Sequence, residues 1–318
     1  MKKFAVLGSG RWGSLISWYI NKINHDLIVW GREDSKNFQN LMRNRCNSVL
    51  CFSPEIKMTC NLREALNQDY IIISINSQNF RSFLSGLIKN HFDLTNKKVI
   101  LCMKGIEEST GQRLTEIFKE FFPNNNTLAI WVGPGHVKSL SGGVPTCMVI
   151  DSENYELKSE LCEILSSSLI KCFKGNDIIG NEIGAACKNI LGIAAGVLDA
   201  INMPSLKGPL MCLGASEVSR LIKECGGNEL SAFGLCHLGD FQATLFSNES
   251  NNRKYGESIV TKEKINFVAE GVGTSNAVHK ICTDKNLNLP ICNEVYKLIH
   301  GKAMPEESIK KFFSDNKS

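Results

Sequence analysis

A lysine and an asparagine, Lys188 and Asn189, interrupt a run of small and apolar residues, Gly184-Ala185-Ala186-Cys187-Lys188-Asn189-Ile190-Leu191-Gly192-Ile193-Ala194-Ala195-Gly196. Residues four apart share one face of a helix, so Gly184, Lys188 and Gly192 form a stripe that Ala195 and Gly196 continue. Glycine inside a helix costs about 1 kcal/mol relative to alanine. A chain that accepts this repeatedly needs another backbone or a ligand close by. An ammonium in such a place is expensive to bury alone, so it calls for a carboxylate, a carbonyl or a bound anion. The alternative is a tightly packed core helix whose lysine reaches solvent along its stem.

Five other stretches carry chemistry. Gly8-Ser9-Gly10-Arg11-Trp12-Gly13 is a G-x-G-x-x-G turn between an apolar strand and a helix, the setting in which the pattern binds a dinucleotide. Gly8 permits the tight turn, Gly10 lets backbone N–H groups approach a pyrophosphate, and Gly13 lets the helix pack close to the sheet. Met103-Lys104-Gly105 and Gly133-Pro134-Gly135-His136 each follow a strand, where ligands of open α/β sheets bind. Cys236-His237-Leu238-Gly239-Asp240-Phe241 reads as a loop that holds a carboxylate beside a glycine. Ser250-Asn251-Asn252-Arg253-Lys254 reads as a donor-rich helix N-terminus suited to an anion. His237 precedes Asp240 by three residues, and such a pair is an acid–base alternative to Lys188. His25, His91, His279 and His300 are scattered and suggest no metal site.

The elements that must position these residues follow from patterning. Strands are expected over 3–7, 27–30, 70–75, 98–102, 127–132, 147–151 and 170–173. Helices are expected over 14–22, 36–46, 79–88, 111–121 and 153–167. This alternation predicts a doubly wound, mostly parallel sheet, an α/β Rossmann domain over residues 1–176. From 177 to 318 the signals become helix after helix, which predicts an all-α domain. Helices are expected there over 181–198, 206–224, 228–234, 252–260, 262–269, 275–285 and 291–299. The tail beyond Gly301 is charged and expected to be loosely attached. At the end of the second strand, Arg32 is placed to meet a 2′-phosphate, while Glu33 or Asp34 could instead take a ribose hydroxyl. The balance favours NADP(H) over NAD(H).

Composition narrows the class. A chain of 318 residues with a formal charge of +4, its basic and acidic residues intermixed, implies neither a nucleic-acid partner nor a membrane surface. Apolar runs such as Tyr70-Ile71-Ile72-Ile73-Ser74-Ile75 fall short of a membrane span. Met1-Lys2-Lys3 imitates the start of a signal peptide, but Gly8 ends the apolar stretch early, so a first strand is expected. The 13 cysteines form no C-x-x-C pair and lie mostly in apolar segments, which points to free buried thiols in a reducing cytoplasm rather than a disulfide framework or a zinc site.

Together with Lys104-Gly105-Ile106-Glu107, Gly133-Pro134, Gly239-Asp240, Asn252-Arg253 and Glu270-Gly271, the glycine turn and the Lys188 stretch make the chain resemble NAD(P)-dependent glycerol-3-phosphate dehydrogenase of the bacterial type. The resemblance runs from residue 3 to about 303. It implies a Rossmann domain followed by a helical domain, with the active site in the cleft. It also implies reduction of dihydroxyacetone phosphate to glycerol 3-phosphate, a supply reaction for phospholipid synthesis. It makes Lys188 the proton-transferring lysine and gives Lys104 contact with both substrate and cofactor. Asp240, Thr244 and Asn189 stand at supporting polar positions. Gly133, Gly135, Ser250, Asn251, Asn252 and Arg253 fall in the substrate set. Gly8, Ser9, Gly10, Arg11, Trp12, Gly13, Arg32, Val137, Asn251 and Glu270 fall in the cofactor set.

The chain departs from the family where the pattern usually reads Ser-Arg-Asn-Arg. Here it reads Ser250-Asn251-Asn252-Arg253, so the arginine that serves phosphate and cofactor is Asn251. Leu213 replaces a common arginine, Asn76 a common proline, and Gly135 lacks a usual hydroxyl. Two further readings therefore stand beside the first: hydride transfer to a different small keto or hydroxy compound, and an inactive dinucleotide-binding homologue. Oligomeric state is open, a homodimer being one option.

Overall fold

The structure, a computed structural model, describes residues 1–247 and 249–314. It divides into two compact units, Met1–Met103 with Thr115–Asn176, and Lys104–Leu114 with Asp177–Ser318. The segment 104–114 thus packs with the second unit although the chain on both sides of it belongs to the first.

Unit 1 is built on eight strands: β1 Lys3–Leu7, β2 Asp26–Trp30, β3 Lys57–Thr59, β4 Tyr70–Ile73, β5 Lys98–Leu101, β6 Leu128–Val132, β7 Thr146–Asp151 and β8 Ile170–Lys174. They form one sheet in the order β3-β2-β1-β4-β5-β6-β7-β8. Every neighbouring pair is parallel except β6 with β7. The helices that alternate with the strands are α1 Arg11–Lys22, α2 Lys36–Asn44, α3 Leu62–Leu66, α4 Phe80–Lys89, α5 Leu114–Phe121, α6 Val137–Ser141 and α7 Tyr155–Leu165. The apolar runs Phe4-Ala5-Val6-Leu7 and Ile71-Ile72-Ile73 are wholly buried, as strands covered on both faces must be. The expected Rossmann architecture is therefore present. The short edge strand β3, helix α3 and helix α6 carry too few residues to show a period.

Unit 2 is helical: α8 Ile178–Ala200, α9 Lys207–Glu224, α10 Asp240–Phe246, α11 Asn251–Thr261, α12 Glu270–Lys285, α13 Pro290–Ile299 and α14 Pro305–Ser314. Short 3-10 turns lie at Pro204–Leu206 and Glu229–Phe233. Helix α8 is the axis of this unit. Its glycines let neighbours approach at backbone distance: a Cβ on Gly196 would lie 1.9 Å from Arg253 O, and one on Gly256 2.0 Å from Ile193 O. The small residues of α8 thus serve another backbone, that of α11.

Several expectations are corrected. Stretch 236–241 is not a loop but a π-helical turn, Leu235–Gly239, running into α10. Residues 262–269 are not helical, because Lys262 adopts a left-handed conformation (φ 61°) that ends α11. As far as residue 314 the tail is docked, with Phe312 fully buried and Ser308 donating to Glu294, while 315–318 lie outside the described residues. Cys46 and Cys51 form a disulfide, with the other 11 cysteines free. Helix α8, at 23 residues, is long and apolar enough to cross a membrane, yet 83% of its most apolar window is buried within the protein, as befits a core helix.

Candidate active site

The polar cluster of unit 2 is assembled on the buried carboxylate of Asp240, the first residue of α10. Asp240 Oδ1 lies 2.8 Å from Lys188 Nζ, and Oδ2 accepts from Lys104 Nζ at 2.6 Å. Lys188 also donates to Thr244 Oγ1 at 3.1 Å, while Thr244, one turn along α10, donates to the Asp240 carbonyl at 3.0 Å. The two ammoniums share this one carboxylate, and Glu270 acts on Lys188 as a second negative charge.

The helix glycines decide who can stand beside Lys188. At Gly184 an added Cβ would meet His237 Cβ at 2.8 Å, and at Gly192 it would meet Thr244 Cγ2 at 2.8 Å and Asn252 Cβ at 3.2 Å. Their absence of side chains admits the π-turn, α10 and α11 to the lysine. A second chain of hydrogen bonds runs beside the first: Asn252 Nδ2 donates to Asn189 Oδ1 at 2.9 Å, and Gly271 N donates to Asn252 Oδ1 at 2.9 Å. Asn189 Nδ2 is buried without a hydrogen-bond partner among the described residues.

Burial sets the protonation states. Desolvation pulls Lys188 down from 10.5 to about 8; Asp240 opposes this, Lys104 adds to it, and Glu270 opposes it. Burial alone would raise Asp240, but Lys104 and Lys188 outweigh it and hold the carboxyl below its usual range. The alternative acid–base residue fares otherwise. His237 is fully buried, its Nδ1 lies 3.0 Å from the Gly184 carbonyl, and its ring stacks on Phe241. A carbonyl only accepts, which assigns the ring proton to Nδ1. Desolvation presses its pKa down to about 4, so the ring is neutral at physiological pH and its one N–H is engaged by the Gly184 carbonyl.

The remaining members of the substrate set in unit 2 are not gathered on Asp240. Ser250 caps α11, accepting from Arg253 N at 3.3 Å. Asn251 donates to Val268 O at 3.2 Å. Arg253 is held by Asp199 at 3.3 Å and Glu257 at 2.9 Å, so it does not stand in for the missing arginine. Glu270 opens α12 and is exposed.

In unit 1 the glycine turn joins β1 to α1. Gly8 (φ +116°) and Gly13 are compelled by packing: a Cβ on the first would lie 2.1 Å from Ser74 O, on the second 2.2 Å from Gly8 O. Gly10 is different, because a Cβ there would meet no atom within 4 Å. Its bareness serves no contact inside the protein, which fits a loop that a pyrophosphate approaches. Behind the loop, Asn47, within the disulfide-closed stretch, donates to Ser14 Oγ at 2.9 Å, and Ser14 donates to Ser9 O at 3.2 Å. Gly133 takes φ +129°, and Gly135 lies against Trp12, whose ring an added Cβ would meet at 2.5 Å. Val137 begins α6 and packs on the core. Arg32, just past β2, is exposed and faces the equally exposed Asp34 at 3.5 Å.

Sequence reasoning missed Asn47 and a buried ion pair, Arg113 with Glu182 at 2.6 Å. The signal for the pair was a carboxylate at the start of an apolar helix, outside the stretch on which the reading centred.

Two family models cover nearly the whole chain: the N-terminus of NAD-dependent glycerol-3-phosphate dehydrogenase over residues 3–158 and its C-terminus over 177–310. The chain belongs to that family. Among curated relatives, the glycerol-3-phosphate dehydrogenase, NAD(P)+, of Sulfurimonas denitrificans is 32% identical over 99% of this chain and 100% of its own. The enzyme of the same name from Fusobacterium nucleatum is 30% identical, covering 100% of this chain and 98% of that one. The fold is that of the glycerol-3-phosphate dehydrogenase crystal structure from Coxiella burnetii, with TM-score 0.90 at 23% identity over 98% of this chain and 99% of that one. The Plasmodium falciparum structure aligns with TM-score 0.85 at 19% identity, over 100% and 96%.

Proposed function

We propose that this family member reduces dihydroxyacetone phosphate to sn-glycerol 3-phosphate with NADPH or NADH, reversibly, in the cytoplasm, supplying glycerophospholipid synthesis. Unit 1 is the dinucleotide-binding domain and unit 2 the substrate domain. The observation that carries the reading is a buried lysine with its pKa near 8, bridged to a second lysine by one carboxylate.

In this reading Gly8 to Gly13 hold the pyrophosphate, with Arg32, Val137 and Glu270 completing the cofactor's surroundings. When bound, the reduced nicotinamide supplies hydride to the C2 carbonyl carbon. Lys188 donates its proton to the oxygen as negative charge grows there, and is left as the neutral amine. Lys104 stands beside that oxygen from the other side of Asp240. Asp240 orients both ammoniums, and Thr244 fixes the direction of the Lys188 donor. Asn189 offers its amide N–H to a substrate oxygen. Ser250, Asn251, Asn252, Gly133 and Gly135 stand at the substrate's phosphate and hydroxyl positions. The exposed Arg32 supports a preference for NADP(H), read as the ratio of kcat/KM for the two dinucleotides. Monomer or homodimer is decided by sedimentation.

The engagement of Arg253 elsewhere, with Asn251 in place of an arginine, favours one second reading: a small carbonyl substrate without a phosphate. A carbonyl panel with and without phosphate separates the two by NADPH oxidation. Turnover confined to dihydroxyacetone phosphate supports the first reading, and faster turnover of an unphosphorylated compound replaces it.

A further inference from the structure

Lys104 reaches Asp240 from a segment that leaves the sheet after β5 and ends at the first residue of α5, and it is this segment, 104–114, that packs with unit 2. The segment closes on itself. Gly111 N donates to Glu107 O at 2.8 Å, Glu107 N to Gln112 O at 2.9 Å, and Ile106 faces Arg113 across an isolated antiparallel bridge. Ile106 is fully buried in the core of unit 2. Gly111, at φ +77°, sits where a Cβ would lie 2.9 Å from Ile281 of α12, and Asn276 of the same helix donates to Glu108 at 2.7 Å.

The fourth attachment is electrostatic. Arg113 donates to Glu182 Oε2 at 2.6 Å, with 13% and 7% of the two side chains exposed. Glu182 lies on α8 six residues before Lys188. The helix that carries one ammonium therefore also grips the segment that carries the other.

We infer that Arg113, through its buried pair with Glu182, is a positioning residue that holds Lys104 on Asp240. The inference rests on the proposed roles of Lys104, Lys188 and Asp240, and it has a consequence that stability alone would not produce. The charged groups facing Lys188 are Asp240 from α10, Lys104 from the segment and Glu270 from α12, with the neutral His237 on the π-turn. Lys104 depresses the affinity of Lys188 for its proton by repulsion and shares the carboxylate with it. Freeing Lys104 removes both effects, so Lys188 should titrate at higher pH.

The test compares wild type with Arg113→Gln, Glu182→Gln and Arg113→Lys. Lys188 is titrated directly, by the rate of its acetylation with acetic anhydride as a function of pH, read by mass spectrometry, and kcat/KM for dihydroxyacetone phosphate is measured alongside. In both glutamine variants the Lys188 titration is expected to rise by about 0.5 in pH or more. Their kcat/KM should fall roughly ten- to hundredfold, and Arg113→Lys should restore both most of the way. If one glutamine variant does not fold, the other carries the comparison. A lowered melting temperature with an unmoved Lys188 titration overturns the inference. Because the labelling needs no substrate, a wild type that titrates as expected yet ignores dihydroxyacetone phosphate would refute the proposed substrate and leave the positioning role standing.

Discussion

At the scale of single residues, function turns on how far burial can push a lysine before its carboxylate partner stops it. A solvated lysine holds its proton to 10.5; desolvation brings Lys188 to about 8. Reduction needs the proton on Lys188, so kcat/KM in that direction should be level below about pH 8 and fall above it, while oxidation of glycerol 3-phosphate, which needs the neutral amine, should rise through the same pH. Opposite limbs at one pKa are the signature, and limbs at unrelated pH values would assign the proton elsewhere. Asn251 makes a second prediction. Replacing it with arginine restores a charge-assisted bond to phosphate worth about 1 kcal/mol or more. The KM for dihydroxyacetone phosphate should then fall roughly fivefold, with little change for an unphosphorylated carbonyl; an unchanged KM would mean that the phosphate is held elsewhere. Lys188 and Asp240 stand out in the sequence as a charge among small residues and a carboxylate beside a glycine, and Lys104 as a cation just after a strand. Which partner each would choose was not legible there, and His237 shows why: its neighbour in sequence, Asp240, is spoken for by the two lysines, and its ring turns to the Gly184 carbonyl instead.

At the scale of elements, glycine spacing does the work that side chains do elsewhere. Helices α8 and α11 cross at Gly196 and Gly256 with less room than one methyl group. Gly256→Ala must push the two helices apart, at a cost of about 2 kcal/mol, so melting should drop by roughly 5 °C. An unshifted melting curve would show that the crossing yields easily. Long periodic helices and buried strands were visible in advance because their patterns repeat. Three kinds of feature were hidden. The π-turn before α10 has no period of its own, the end of α11 depends on a non-glycine residue entering the left-handed region, and the docking of α14 depends on Phe312 finding a distant surface. The Cys46–Cys51 bond was hidden for a further reason: cysteine counts speak to frameworks and not to a single local closure.

At the scale of the whole molecule, each unit has its own apolar core, and the chain crosses from one unit to the other more often than a two-part reading of the sequence suggests. The segment 104–114 is the case in point. In the sequence it reads as the connection between the strand over 98–102 and the helix over 111–121, and only tertiary contacts to α8 and α12 reveal where it belongs. The family assignment adds the reaction class, and the buried triad of Lys104, Asp240 and Lys188 adds a reason for it. The most direct test of that reason is NADPH oxidation on addition of dihydroxyacetone phosphate, compared between wild type and Lys188→Ala, with NADPH affinity measured by fluorescence in both. The account predicts turnover by the wild type, a loss of roughly a hundred- to ten-thousandfold in the variant, and equal NADPH binding. Undiminished turnover by Lys188→Ala would contradict it.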